Sequence, residues 1–210
     1  MFSENRSRNH YSQGDYKSDG EIKLQELLFL KSKEIHDHFT KLKQQRKDFY
    51  NSSYVNLDRA WSRPFPEKWS IGETLYHLVL MIRLFRRFSS VYIPILLPVA
   101  HVRKKRGYKI EMHNIYETYH QDHKKAMNAP FLIKPPAGLE EKWSINDVQS
   151  LLEHETDKLM ANLDNIEQDL AGQIYYPDPV AEYPNLIQCI HLLAIHEQHH
   201  FKLTKKYLAS

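Results

Sequence analysis

The chain has 210 residues, 41% of them hydrophobic and 26% charged, with a net charge of +3. That balance is ordinary for a soluble globular protein with one sizeable core, and it exerts no strong pull toward nucleic acid. A single cysteine, Cys189, excludes an internal disulfide and fits a reducing compartment.

Residues 1–20, MFSENRSRNHYSQGDYKSDG, are polar and contain no apolar stretch of the kind a secretory signal needs. They read as a disordered tail, which leaves 21–210 as one domain. From Glu21 the residues Ile22, Leu24, Leu27, Leu28, Leu30, Ile35, Phe39 and Leu42 recur at three- and four-residue spacing. This predicts a first long helix reaching to about Asn51, with Lys31, Lys33, Lys41 and Lys43 on its solvated face.

Two segments then repeat one another, EKWSIGETLYHLV from Glu67 and EKWSINDVQSLLE from Glu141. Ser70 with Glu73, and Ser144 with Asp147, fit the capping pattern that opens a helix, and Trp69 and Trp143 stand where a bulky residue staples the entering chain. Glu73 is thus read as a capping residue. The second helix is predicted through Ile71, Leu75, Leu78, Ile82 and Phe85, stopping before Pro94. The run VYIPILLPVAHV is shorter than the roughly 20 residues a bilayer span requires and is broken by two prolines, so it is read as a buried connector. A cytoplasmic protein with no membrane contact is therefore expected.

A long crossover follows, with an extra helix predicted near Ile115–Met127. The third core helix runs from Ile145 through Leu152, Leu159 and Ile166 toward a stop near Gly172, and the fourth follows Pro184. No segment alternates as a strand does. The expected fold is all-α, a four-helix bundle with a long crossover between the second and third core helices.

Near the end stands IHEQHHFKLTKKYL. His196 and His200 are one helical turn apart and in phase with Leu193, Leu203 and Tyr207, so both are predicted to face inward and can reach one metal ion. His199 falls off that stripe, toward water or a supporting hydrogen bond. His77, within TLYHLVLMI, lies beside the apolar stripe of the second helix; spacing alone leaves it open between a ligand and a core-edge histidine. His10, His36, His38, His113, His120, His123 and His154 have polar neighbours and are assigned no site.

WSIGETLYHLV early and HEQHH late, separated by a long crossover, resemble the DinB/YfiT-like superfamily, in its DinB-like branch, from about Glu21 to Leu208. The resemblance implies a divalent metal, zinc or nickel, held by His77, His196 and His200. It also implies thiol-dependent S-transferase chemistry with a low-molecular-weight thiol such as bacillithiol. The last motif continues F-K-L where many relatives have R-G-Q, which makes the wall below the metal more apolar.

Three protein ligands leave a coordination position open, for a thiol or for a water that would support hydrolysis. Glu155, on the apolar stripe of the third helix, is a candidate base or ligand-orienting group, with pairing to a basic residue of the crossover as the alternative. The cluster Arg103, Lys104, Lys105 and Arg106 could hold an anionic thiol, or could make the chain a binding module for nucleic acid or an acidic partner. The expected partner is a small-molecule substrate, nucleic acid is not favoured, and a homodimer is left open.

Overall fold

The computed structural model describes residues 31–116 and 130–209. Four long helices organise them: α1 Lys33–Tyr50, α2 Ile71–Arg103, α3 Ile145–Leu163 and α4 Leu186–Leu208. Short pieces connect these, namely single 3₁₀ turns at Leu57–Arg59 and Phe131–Ile133 and a four-residue helix at Gln168–Ala171. An isolated bridge joins Tyr175 to Asn185, and no strand occurs among the described residues.

The helix starts follow the capping chemistry of the sequence. Ser70 and Glu73 form a reciprocal capping box at the head of α2, and Ser144 and Asp147 form the same device at the head of α3. Asn185 with Gln188 supplies a third box, on α4. Glu73 has a second task, since both its oxygens accept from Arg63. Gly72 is required by packing: a Cβ there would lie 2.5 Å from the Trp61 ring.

Three boundaries differ from the sequence reading. The first helix begins at Lys33, because Ser32 adopts an extended conformation and its side chain accepts from the Ile35 amide; residues 21–30 lie outside the described residues. The third helix ends at Leu163, and the Gln168–Ala171 turn carries the chain on to Gly172. The largest difference is α2, which runs through Pro94 and Pro98 to Arg103. The two prolines are four positions apart and exposed, so the carbonyls they leave unbonded share the solvent side of the helix. Ile93 and Ala100 on the opposite side are buried, and their packing holds the helix together across both prolines. The VYIPILLPVAHV run is thus the end of a helix and not a buried connector. Val91, Ile95, Val99 and Val102 are exposed along it. The extra helix expected at 115–127 is described only in its first residues, Ile115 and Tyr116.

α2 packs chiefly on α3, and α1 chiefly on α4. Their apolar stripes meet in one core of Phe39, Leu42, Leu75, Leu78, Leu152 and Ile190, with the Phe49 and Phe201 rings stacked at 4.1 Å. Two charged clamps cross it. Arg46 of α1, fully buried, donates two hydrogen bonds to Glu197 of α4, at 2.8 and 3.0 Å, and one to Glu153 of α3. Glu155 of α3 accepts from Arg83 and Arg86 of α2, each at 2.9 Å. α2 and α4 face one another near His77 and His196, and that contact builds the site.

Candidate metal centre

His77 is fully buried and His196 nearly so, while His200 is half-buried. Their rings form a triangle, with centroids 5.1 Å apart for His77 and His196 and 4.6 Å for each other pair. One nitrogen from each lies within 4.8 Å of the others. The family resemblance implied these three positions as ligands, and folding brings their side chains together from α2 and α4.

Hydrogen bonds outside the triangle fix which nitrogens face inward. His77 Nδ1 lies 2.7 Å from the Ile133 carbonyl, which can only accept, so Nδ1 carries the proton and Nε2 presents a lone pair. That Nε2 faces His196 Nε2 at 3.0 Å. On its far side His196 Nδ1 meets the Tyr116 hydroxyl. With a cation between the rings, His196 Nδ1–H would donate to Tyr116, the arrangement that holds a ligating imidazole in the required tautomer.

Burial also disfavours the charged form of all three rings. It lowers the His77 pKa and lowers that of His196 well below the ordinary value, and it holds His200 at about 3, with the neighbouring histidines adding to the shift in the last two. Three imidazoles favoured as neutral and converging in a low-dielectric pocket fit a divalent cation, which would take one nitrogen from each.

Aromatic rings close the site on two sides. Trp69 packs 4.9 Å from His77 and lies nearly parallel to His200 at 6.0 Å. Tyr116 stacks on His199 at 4.3 Å. His199 therefore lines the cavity wall, half-buried, and is not among the converging ligands. Trp69 was legible as a helix-start staple, and its place against the ligands follows from its position two turns before His77. Tyr116 and the Ile133 carbonyl come from the crossover, and no local pattern marks them.

The remaining sequence candidates lie elsewhere. Glu155 does not line the cavity, and both its oxygens are engaged by arginines of α2, not of the crossover. Arg103 to Arg106 stand at the far end of α2, with Lys104 some 27 positions after His77, or roughly 40 Å along a helix rising 1.5 Å per residue. Lys104 pairs with Glu167, and the Arg106 carbonyl accepts from Gln173. The structure does not bring this cluster to the histidines.

A cavity of about 490 Å³ opens beside the triangle, between α2 and α4. Its wall is mostly apolar, as the F-K-L continuation of the last motif suggests, with Leu203 contributing.

The DinB superfamily profile matches residues 57–203, well over half of the chain. The chain belongs to the DinB superfamily. The matched span contains His77, His196 and His200, both capping motifs and all of α2 and α3. Neither the curated proteins nor the solved structures contain a match to it. No helix among the described residues is long and apolar enough to cross a membrane.

Proposed function

We propose that this DinB superfamily protein is a metal-dependent enzyme whose His77, His196 and His200 hold one divalent cation, zinc or nickel, and that its reaction is the transfer of a small thiol to an electrophile. The observation that carries the reading is the convergence of three neutral imidazoles on the wall of an apolar cavity. A cation there would supply the charge that favours loss of a thiol proton at neutral pH. The chain's own residues do the rest: His77 and His196 are held by the Ile133 carbonyl and the Tyr116 hydroxyl, and the apolar wall keeps water from competing with the thiol. In the transfer, the thiol proton passes to solvent. The sulfur lone pair then forms a bond to the electrophilic carbon, as that carbon's bond to its leaving group breaks and the leaving group departs with the electron pair.

Metal-dependent hydrolysis is the second reading. Asp178 favours it, being a carboxylate on the cavity wall. Its Oδ1, however, accepts from the Val180 and Ala181 amides, which commits it to shaping its own loop. The basic run supports a binding module only as a surface remote from this cavity, and its ion pair with Glu167 is the ordinary fate of a solvated connector.

The test is conjugation of an electrophilic reporter to low-molecular-weight thiols, bacillithiol among them, by zinc- or nickel-loaded protein and by His196→Ala. The reading requires a native rate at least tenfold above that of the variant. Equal rates across the thiols reject transfer, and ester cleavage by the native chain alone would establish the hydrolase.

A further inference from the structure

We infer that the cavity beside the histidines receives an extended, uncharged apolar group, carried by the electrophile of the transfer proposed above, on which reading this assignment rests. His77, Met81, Phe85 and Phe88 follow one another on α2 at steps of four, four and three positions, and all line the cavity. They share one helix face, so the apolar track starts at a metal ligand and runs unbroken away from it. Eleven positions at 1.5 Å per residue give it a length of roughly 16 Å. The opposite wall is set by α4, where Cys189 and Leu193 precede His196 on the inward face.

The outer part of the track is flanked by an aromatic group whose polar atom is already satisfied. Tyr176 packs on Phe85 at 5.2 Å and on Phe88 at 5.9 Å, while its hydroxyl bonds Ser89 at 2.8 Å. It therefore offers a ligand its ring and not its oxygen. The Cys189 thiol is held protonated by burial and behaves as a small apolar group. Among the described lining residues there is no lysine or arginine, and the one carboxylate, Asp178, is tied to backbone amides. An anionic group drawn along this track would lose its hydration without gaining a counter-charge from the wall, so the described wall discriminates against it. Phe88 and Val180, both substantially exposed, stand at the rim, and an apolar chain entering between them reaches the histidines with its reactive end first.

The experiment is calorimetric titration of the full chain, zinc-loaded and after chelation, with straight-chain primary alcohols from butanol to decanol and with the carboxylate of the same length for each. Alcohols are unreactive, so binding is read apart from transfer. Affinity should climb by about three- to fourfold per methylene, the increment expected when each is fully buried, until the track is filled. Each carboxylate should bind at least tenfold more weakly than its alcohol in the chelated protein. Phe88→Glu, at an exposed rim position the fold tolerates, should cut decanol affinity at least tenfold, leave butanol binding within twofold, and preserve zinc content and helicity. An affinity that does not rise with chain length, carboxylates that bind the chelated protein as well as alcohols do, or an unaffected decanol titration in Phe88→Glu would each overturn the assignment. A rising alcohol series with no thiol transfer would uphold the apolar track and reject the transferase. Transfer with a flat series would do the reverse.

Discussion

Two imidazoles of the triangle are prepared by partners that cannot be read from their own helices. His77 is oriented by a crossover carbonyl and His196 by a crossover hydroxyl, so ligand quality depends on Ile133 and Tyr116 as well as on the histidines. Alanine at His77, His196 or His200 should abolish metal retention, whereas His199→Ala, which removes a ring stacked on Tyr116 and edge-on to His200, should weaken it little. Tyr116→Phe should retain metal with an affinity lowered about 10- to 100-fold, as loss of a ligand's supporting hydrogen bond does, measured by competition with a chromogenic chelator. The pH dependence has a defined sign. Ligation needs neutral rings, and burial lowers all three pKa values, His200 to about 3, so protons compete only below the ordinary histidine value of about 6.5. Metal should be held at pH 6 and released as pH falls further. Release already complete at pH 7 would show that the rings are not buried together.

Among the helices, two contacts carry unequal consequences. Arg46 ties α1 to the buried Glu197 of α4 and to the partly exposed Glu153 of α3, and Arg46→Leu would leave Glu197 without its counter-charge beside His196. A loss of about 3–5 kcal/mol in urea unfolding is expected. His38 of α1 stacks on His191 of α4 at 4.3 Å, and the buried His38 Nε2 and His191 Nδ1 have no partner among the described residues. Polar neighbours hid His38, and the pairing with His191 was not legible because a helix's facing partner does not appear in its own local pattern. Burial lowers both pKa values, that of His38 to about 4, and the neighbouring His191 adds to the shift. The unfolded chain therefore binds protons below about pH 6.5 that the folded chain refuses, and stability present above that value is lost as pH falls toward 4. His38→Phe should flatten the fall in unfolding free energy over this window, by about 1 kcal/mol after discounting for partial solvent exposure. Along α2, by contrast, Val91→Lys and Ile95→Lys should change stability by no more than about 0.5 kcal/mol, since both side chains are already in water.

Over the whole molecule, what was legible in the sequence is what repeats or pairs at short range. The capping boxes announced where α2 and α3 begin, and the one-turn spacing of His196 and His200 set both on one face of α4. His77 meets the other two histidines only by the packing of α2 against α4, and its reading as a ligand drew on the family's pattern as much as on its own neighbours. Tertiary packing also carried α2 past Pro94 and Pro98, where local propensity argued for a stop, and engaged Glu155 with Arg83 and Arg86 of a helix far away in sequence. Because the three candidate ligands come from two helices, bound metal should brace the fold, and chelation should lower Tm by an amount that free metal restores. The most direct test of the account is the metal content of the untagged chain by mass spectrometry, beside that of His77→Ala prepared identically. The account predicts about one zinc or nickel ion per native chain and none in the variant, with helicity unchanged. A native chain that stays metal-free after incubation with both ions, or a His77→Ala chain that binds as much, would contradict it.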